Sequence, residues 1–153
     1  MTKNDFIYEL NVLKQYNRNR IKLIDFIISG ISVETKTCNK IHTCMLSSWL
    51  ETRELFLKRL YDPDIIRNLY LLNEEWYEES QKVCDLLTQK EKVAKKSIFG
   101  KLVKKKKFKI GEEDKDKVIT YQMALKELTQ KIHEILKKMK KRAEALSTEK
   151  LMS

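Results

Sequence analysis

Residues that make turns are scarce in this chain, and this scarcity restricts its fold more than any other feature. The 153 residues include one Pro and three Gly, and 35% of the residues are charged. β-Sandwiches, barrels and Gly-rich nucleotide-binding folds need turn residues at frequent intervals, so the composition argues against all three. A chain of this length suits one compact domain, with or without an appendage. The sequence therefore predicts a single all-α domain.

Apolar residues recur at helical spacing in four stretches. The first three predict helices over about residues 3–29, 40–61 and 63–93, with Asp62-Pro63-Asp64 separating the second helix from the third. The fourth stretch steps by three and four residues and forms a heptad seam. Its members are Val118, Tyr121, Leu125, Leu128, Ile132, Ile135, Met139, Ala143 and Leu146.

These stretches predict an up-down-up-down four-helix bundle with a long C-terminal helix. Residues 1–94 supply the first three helices, and residues 115–147 complete the bundle or form a dimer interface. Trp49 and Trp76 each lie on an apolar stripe, so we expect both to pack between helices. Three polar residues interrupt the apolar faces and either form hydrogen bonds across the core or stay hydrated at its edge. They are Asn17, Asn73 and Ser80.

The positive charge is concentrated between the third and fourth predicted helices. Residues 89–109 hold ten Lys and one acidic residue, a local charge of +9 in a chain with a formal net charge of +10. We expect residues 95–114 to form an exposed basic connection. Its candidate polyanion-binding residues are Lys95, Lys96, Lys101, Lys104, Lys105, Lys106, Lys107 and Lys109.

The basic connection admits several interpretations. Lys clusters bind phosphates by releasing counterions, and the interleaved Phe and Ile residues suit shallow insertion into an anionic membrane. RNA, an anionic membrane surface and an acidic protein thus remain open as partners, as does a solvated loop that keeps the protein soluble. Sequence-specific reading of DNA is disfavoured because the cluster contains Lys and no Arg.

The chain contains none of the common catalytic or nucleotide-binding motifs, so we expect neither an enzyme nor a cofactor. Its odd number of cysteines, Cys38, Cys44 and Cys84, includes no CxxC pair and predicts free thiols in a reducing compartment. Cys44 is the candidate redox-sensitive thiol. The two histidines, His42 and His133, offer little for a metal site.

Apolar runs are too short to span a membrane, and charges throughout the first twenty residues argue against a secretory signal, so we expect a cytoplasmic protein.

One stretch of residues 13–84 resembles a known family. Cys44-Met45-Leu46-Ser47-Ser48-Trp49 is similar to the C-x-L-G-x-W signature of the chemoreceptor zinc-binding domains, which are four-helix bacterial modules. Upstream, Arg18-Asn19-Arg20-Ile21 resembles the family's K-N-R-L stretch, and Asn73-Glu74-Glu75-Trp76-Tyr77 falls where its H-x-x-x-H lies.

The resemblance also implies how this chain departs from that family. The family's four zinc ligands correspond to Lys14, Cys44, Asn73 and Tyr77, of which only Cys44 keeps a metal-binding side chain, and Ser47 replaces the motif's Gly. The implied protein is a sensory or dimerisation bundle that has lost its metal. We therefore expect a non-enzymatic, metal-free module for regulatory or sensory protein interaction that forms a homodimer. The alternative is a polyanion-binding protein that uses residues 95–109 on RNA or an anionic membrane surface.

Overall fold

The structure is a computed structural model that describes residues 1–29, 45–96 and 112–152. Every regular element in these ranges is an α-helix, which confirms the all-α class. The helices are α1 (Lys3–Ile28), α2 (Met45–Thr52), α3 (Glu54–Leu60), α4 (Pro63–Lys96), α5 (Glu112–Ala145) and α6 (Thr148–Met152). Of the helices in the described ranges, none is sufficiently long and apolar to cross a bilayer.

Local capping bonds account for the starts of two of the long helices. At α1, the Thr2 amide donates to Asp5 Oδ2 over 2.7 Å, and the Asp5 amide donates to Thr2 Oγ1 over 3.1 Å. This reciprocal pair gives acceptors to backbone N–H groups that would otherwise have no hydrogen-bond partner at the start of the helix. At α4, Asp62 Oδ1 accepts from the Asp64 amide at 2.9 Å, and Pro63 occupies the first helical position, where no amide hydrogen is needed. The predicted starts of both helices are confirmed.

The predicted helix over residues 40–61 is wrong in its described part, because the chain breaks between α2 and α3. Arg53 lies at the break with φ −103° and ψ 9°, outside the helical region. Its guanidinium binds Glu9 of α1, with Nη2 2.5 Å from Oε1 and Nε 3.1 Å from Oε2. This long-range pair holds the chain at the break, and the apolar spacing that predicted one helix carries no sign of it.

Helix α5 is the central element, and both α1 and α4 pack along it. Three hydrogen bonds between α1 and α5 show that the two helices run antiparallel. The bonds are Lys3 Nζ to the Glu144 carbonyl at 2.8 Å, Asn17 Nδ2 to the Thr129 carbonyl at 2.9 Å and Gln122 Nε2 to Asp25 Oδ1 at 2.6 Å. Helix α4 is likewise antiparallel to α5, since the buried Tyr61 hydroxyl just before α4 donates to the Met139 carbonyl at 2.8 Å and Trp76 lies at Thr129.

The core is built on the predicted seam of α5, with two additions. Thr129 and Leu136 are buried although the seam omitted them, while Tyr121, Ile135 and Leu146 are only partly buried. The buried face of α5 is broader than a heptad seam because two long helices cover it, and a two-partner face needs more than the two positions per heptad of a coiled coil. The prediction that Trp49 and Trp76 pack between helices is confirmed, since both are buried.

Candidate functional site

The predicted polyanion-binding residues lie at or beyond the limit of the described structure. Lys95 and Lys96 are the last two residues of α4. The remaining six, Lys101, Lys104, Lys105, Lys106, Lys107 and Lys109, fall outside the described residues, as does the candidate thiol Cys44. Their proposed roles therefore stay predictions.

The expectation of free thiols is wrong for Cys84, which is disulfide-bonded. Its side chain is buried on α4 beside Val83. The other two cysteines of the chain, Cys38 and Cys44, lie outside the described residues. The odd number of cysteines, the absence of a CxxC pair and the expected reducing compartment favoured free thiols, whereas a disulfide depends on proximity in the folded chain.

A network of polar side chains crosses the core between α1, α2 and α4. Asn73 of α4 is fully buried, accepts a hydrogen bond from Arg20 Nη2 at its Oδ1, and donates through Nδ2 to Ser47 Oγ over 2.9 Å. Arg20 is also buried, and its guanidinium carbon lies 4.3 Å from the centre of the Trp76 ring and 4.8 Å from that of Tyr16. Two aromatic faces and an amide oxygen therefore stabilise a charge that has been removed from water.

A second set of polar bonds, at α5, joins the same network. Trp76 Nε1 donates to Thr129 Oγ1 over 3.0 Å, and this hydroxyl donates in turn to the Leu125 carbonyl over 2.8 Å. The Thr129 carbonyl accepts from Asn17, while Ser80 Oγ donates to the Tyr77 carbonyl at 2.7 Å. The alternative left open by the sequence is thus resolved: Asn17, Asn73 and Ser80 are all buried and hydrogen-bonded. Asn17 and Ser80 donate to backbone carbonyls, and Asn73 bonds side chains of α1 and α2.

Of the four residues that correspond to the family's zinc ligands, Asn73 and Tyr77 lie one turn apart on α4, Lys14 lies on α1, and Cys44 falls outside the described residues. The α1 residue bonded to Asn73 is Arg20, whereas Lys14 lies near Lys140 and Lys137 of α5. Tyr77 lines a shallow opening of about 490 Å³ with Ser47, Glu74, Glu78 and Gln81. An amide, a guanidinium and a hydroxyl are poor substitutes for the thiolates and imidazoles that hold zinc. Within residues 1–29, 45–96 and 112–152, no three His, Cys, Asp or Glu side chains form a candidate metal cluster.

Glu9 of α1 accepts hydrogen bonds from a residue of α2 and from the residue at the break before α3. Its Oε2 accepts from Trp49 Nε1 at 2.8 Å, in addition to the bonds from Arg53. Partial burial favours the neutral acid, yet the hydrogen bonds from Arg53 and Trp49 outweigh it and lower the pKa of Glu9. The sequence analysis missed Glu9, Arg53, Arg20 and Thr129. Two of them left a signal: Arg20 follows Leu13 and Asn17 and precedes Ile24 at the spacing of a buried stripe, and Thr129 lies between Leu125 and Ile132 at the same spacing.

An apolar groove of about 400 Å³ opens on the surface between α2, α3 and α4. Leu50, Pro63, Ile66 and Tyr70 supply its apolar lining. Its charged lining consists of Glu51, Glu54, Lys58 and Arg67. Leu55, one position after Glu54 on α3, is 81% exposed. Ile65 and Leu71, which neighbour the lining residues Ile66 and Tyr70 in sequence, are exposed on α4 as well, so α3 and the start of α4 expose several large apolar side chains.

Comparison of the chain with protein-family models, with curated proteins and with solved structures finds no match. The resemblance to the chemoreceptor zinc-binding domains accordingly stays a prediction from three short stretches, neither supported nor refuted. The function has to be argued from the surface of the described helices.

Proposed function

We propose that the protein is a non-enzymatic interaction module that self-associates as a homodimer through the groove between α2, α3 and α4. In this proposal α2 and α3 together act as the second helix of an up-down-up-down four-helix bundle. The observation that carries the proposal is the apolar groove together with the 81% exposed Leu55, which lies on α3 between the lining residues Glu54 and Lys58.

A single surface that carries both a projecting side chain and a groove suits two-fold association. In a two-fold dimer the same patch faces itself, so residue i of one copy contacts residue j of the other and the reverse contact follows. Leu55 of each copy can then enter the groove of the other, against Leu50, Ile66 and Tyr70. Both apolar elements are removed from water by one contact.

Electrostatics also favours a second copy at this surface. Of the formal net charge of +10, +9 belongs to residues 89–109, none of which lines the groove. The charged lining of the groove holds two acids and two bases, and Lys58 Nζ lies 2.5 Å from Glu54 Oε1. Two copies can meet at this locally neutral surface with little repulsion.

The regulatory or sensory role within this proposal comes from the resemblance to the chemoreceptor domains. A bundle of that kind would act by helix contacts with its partners and would need no metal. The alternative role, polyanion binding, depends on the basic connection at residues 95–109.

Sedimentation equilibrium of the full chain over a wide concentration range tests the dimer. We expect wild-type protein to dimerise and Leu55→Glu to stay monomeric, because each copy would have to bury a glutamate in the apolar groove of the other. Met123→Glu is the matched control, since Met123 is 66% exposed on α5 and lies outside the groove. Far-UV circular dichroism verifies that each variant is folded. A wild-type chain that is monomeric throughout, or a Leu55→Glu variant that dimerises as well as wild type, would overturn the proposal.

A further inference from the structure

The register between α1 and α5 aligns basic side chains from both helices. Asn17 of α1 bonds the backbone at Thr129 of α5, and the two helices are antiparallel. Moving one turn toward the start of α1 and one turn toward the end of α5 brings Lys14 level with His133. Arg18 lies one turn from Lys14 on the same face of α1, and Lys137 lies one turn from His133 on the same face of α5. We call these four residues the basic face.

The charges of the basic face act on one another. The pKa of Lys14 is lowered by partial burial and by the nearby cations Lys140, Arg18 and Lys137, against a weaker opposing effect of Glu144. The pKa of His133 is lowered by burial, by Arg18 and Lys14, and further by Lys137, with Glu134 opposing. Cations held this close repel one another, so the arrangement costs free energy until an anion joins it.

The carboxylates near the basic face are already engaged. Glu134 accepts a hydrogen bond from Gln130 Nε2 at 2.9 Å, and Glu144 lies 3.7 Å from Lys140 Nζ. In the described part of the chain, by contrast, Lys14, Arg18 and Lys137 form no ion pair. These three differ from Lys58, Lys82, Lys126 and Lys131, each of which lies beside an acidic side chain.

His133 adds a directed donor to these charges. Its Nδ1 atom is buried and has no hydrogen-bond partner. A proton on Nδ1 would bury an unsatisfied donor, so the neutral ring carries its proton on Nε2 instead. Nε2–H is then the polar group that His133 can offer to a ligand at the basic face.

We propose that the basic face is a binding site for a phosphate group. A phosphate dianion supplies the negative charge that three unpaired cations lack, and its several acceptor oxygens can receive bonds from the Arg18 fork, two ammonium groups and the imidazole N–H. A carboxylate offers two oxygens and a single charge, which match these donors less well. The site is independent of the proposed dimer surface, since it lies on α1 and α5 and the groove lies on α2, α3 and α4.

Nuclear magnetic resonance of His133 in the full chain tests the site. The chain has two histidines, so the His42→Asn variant leaves His133 as the only imidazole. We expect inorganic phosphate, titrated at constant ionic strength with chloride as the balancing ion, to move the His133 signals in a saturable way. Bound phosphate should also raise the pKa of His133, because the dianion stabilises the imidazolium.

Variants that lose the same amount of charge distinguish a specific phosphate site from nonspecific electrostatic attraction. In the same His42→Asn background, Lys14→Gln and Lys137→Gln together should weaken phosphate binding by about tenfold. Lys117→Gln and Lys138→Gln together are the control, because they remove the same charge from exposed α5 residues that do not lie one turn from His133 or Lys137. If phosphate shifts the His133 signals no more than chloride or acetate does, or if the two pairs of substitutions have equal effects, the site does not exist.

Titrations with other ligands identify the source of the phosphate group, and a second method covers the case in which the His42→Asn variant does not fold. Tripolyphosphate and a short RNA are titrated in the same way, and binding tighter than that of inorganic phosphate would assign the site to a polyphosphate or to a nucleic-acid backbone. Acetate binding as tight as phosphate binding would instead indicate acidic peptides and overturn the phosphate assignment. Should His42→Asn fail to fold, calorimetric titration of phosphate into the wild-type chain and into the two double variants gives the same comparison.

Discussion

The bond between Trp76 and Thr129 offers the sharpest test of the buried network. Trp76 is 0% exposed, and its Nε1–H donates to Thr129 Oγ1 over 3.0 Å. The substitution Thr129→Val keeps the shape of the side chain and removes the hydroxyl. Val and Thr have similar helix propensities, so the main effect is a buried indole N–H without an acceptor.

The expected loss follows from this single orphaned donor. An unsatisfied buried donor costs about 1–3 kcal/mol, and in a domain of this size about 1 kcal/mol lowers the melting temperature by roughly 2–4 °C. Thr129→Val should therefore melt roughly 2–12 °C below wild type. Thr129→Ser keeps the acceptor and loses one buried methyl group, which costs about 1 kcal/mol. Comparing the two variants thus separates the effect of the lost hydroxyl from the effect of the lost side-chain volume.

Urea unfolding followed by circular dichroism at the helical band measures these differences without relying on tryptophan emission. A double-mutant cycle with Trp76→Phe isolates the bond, because Phe removes the donor whose acceptor Val removes. We expect a coupling free energy of about 0.5–3 kcal/mol between the two sites. A Thr129→Val variant as stable as wild type, together with zero coupling in the cycle, would refute the network as described.

Three further measurements address other parts of the chain. Cys84→Ser should lower the free energy of unfolding by about 2–4 kcal/mol, and Ellman's reagent should find one thiol in the unfolded, unreduced wild-type chain, whereas finding three would contradict the disulfide. The folded-state pKa of Glu9 lies below its ordinary 4.5, so ionised Glu9 stabilises the fold above that pH and loses this effect as the pH falls through its folded pKa. The difference in stability between wild type and Glu9→Gln should accordingly be full at neutral pH and shrink in acid, and a difference that is unchanged in acid would exclude this role. Changing Lys104 to Lys107 together to Gln should weaken salt-sensitive binding to anionic vesicles or RNA far more than any single change, and a wild-type chain that binds neither at low salt excludes the polyanion alternative.

The helical elements could be predicted because their signals are local. The Thr2–Asp5 and Asp62-Pro63-Asp64 patterns mark helix starts within four residues, and apolar spacing marks the buried faces of α1 and α4. The break at Arg53 and the disulfide at Cys84 were not predictable from local signals. Both depend on partners remote in sequence, as the bond from Arg53 to Glu9 shows.

The buried face of α1 departs from its apolar spacing at Arg20, whose side chain combines a charged end with an apolar stem. The apolar spacing of α1 steps from Asn17 to Ile21 and Ile24, but Arg20 is the buried residue and Ile21 is only partly buried. Charged residues are seldom buried unless they are paired, so a sequence argument favours the isoleucine. The preference is reversed here because Asn73, Trp76 and Tyr16 provide Arg20 with an acceptor and two ring faces. These partners come from α4 as well as α1, so the exchange depends on tertiary packing.

The polar core has a consequence for the surfaces on which function is proposed. Apolar seams with a heptad period can be satisfied at more than one register, because sliding one helix along another still pairs apolar side chains. A slip of one turn between α1 and α5 would remove Asn17 from the Thr129 carbonyl, and a slip of α4 would remove Trp76 from the Thr129 hydroxyl. Each slip would leave buried donors unsatisfied, which selects one register. That register sets Lys14 level with His133, so the arrangement of the basic face depends on hydrogen bonds made in the core.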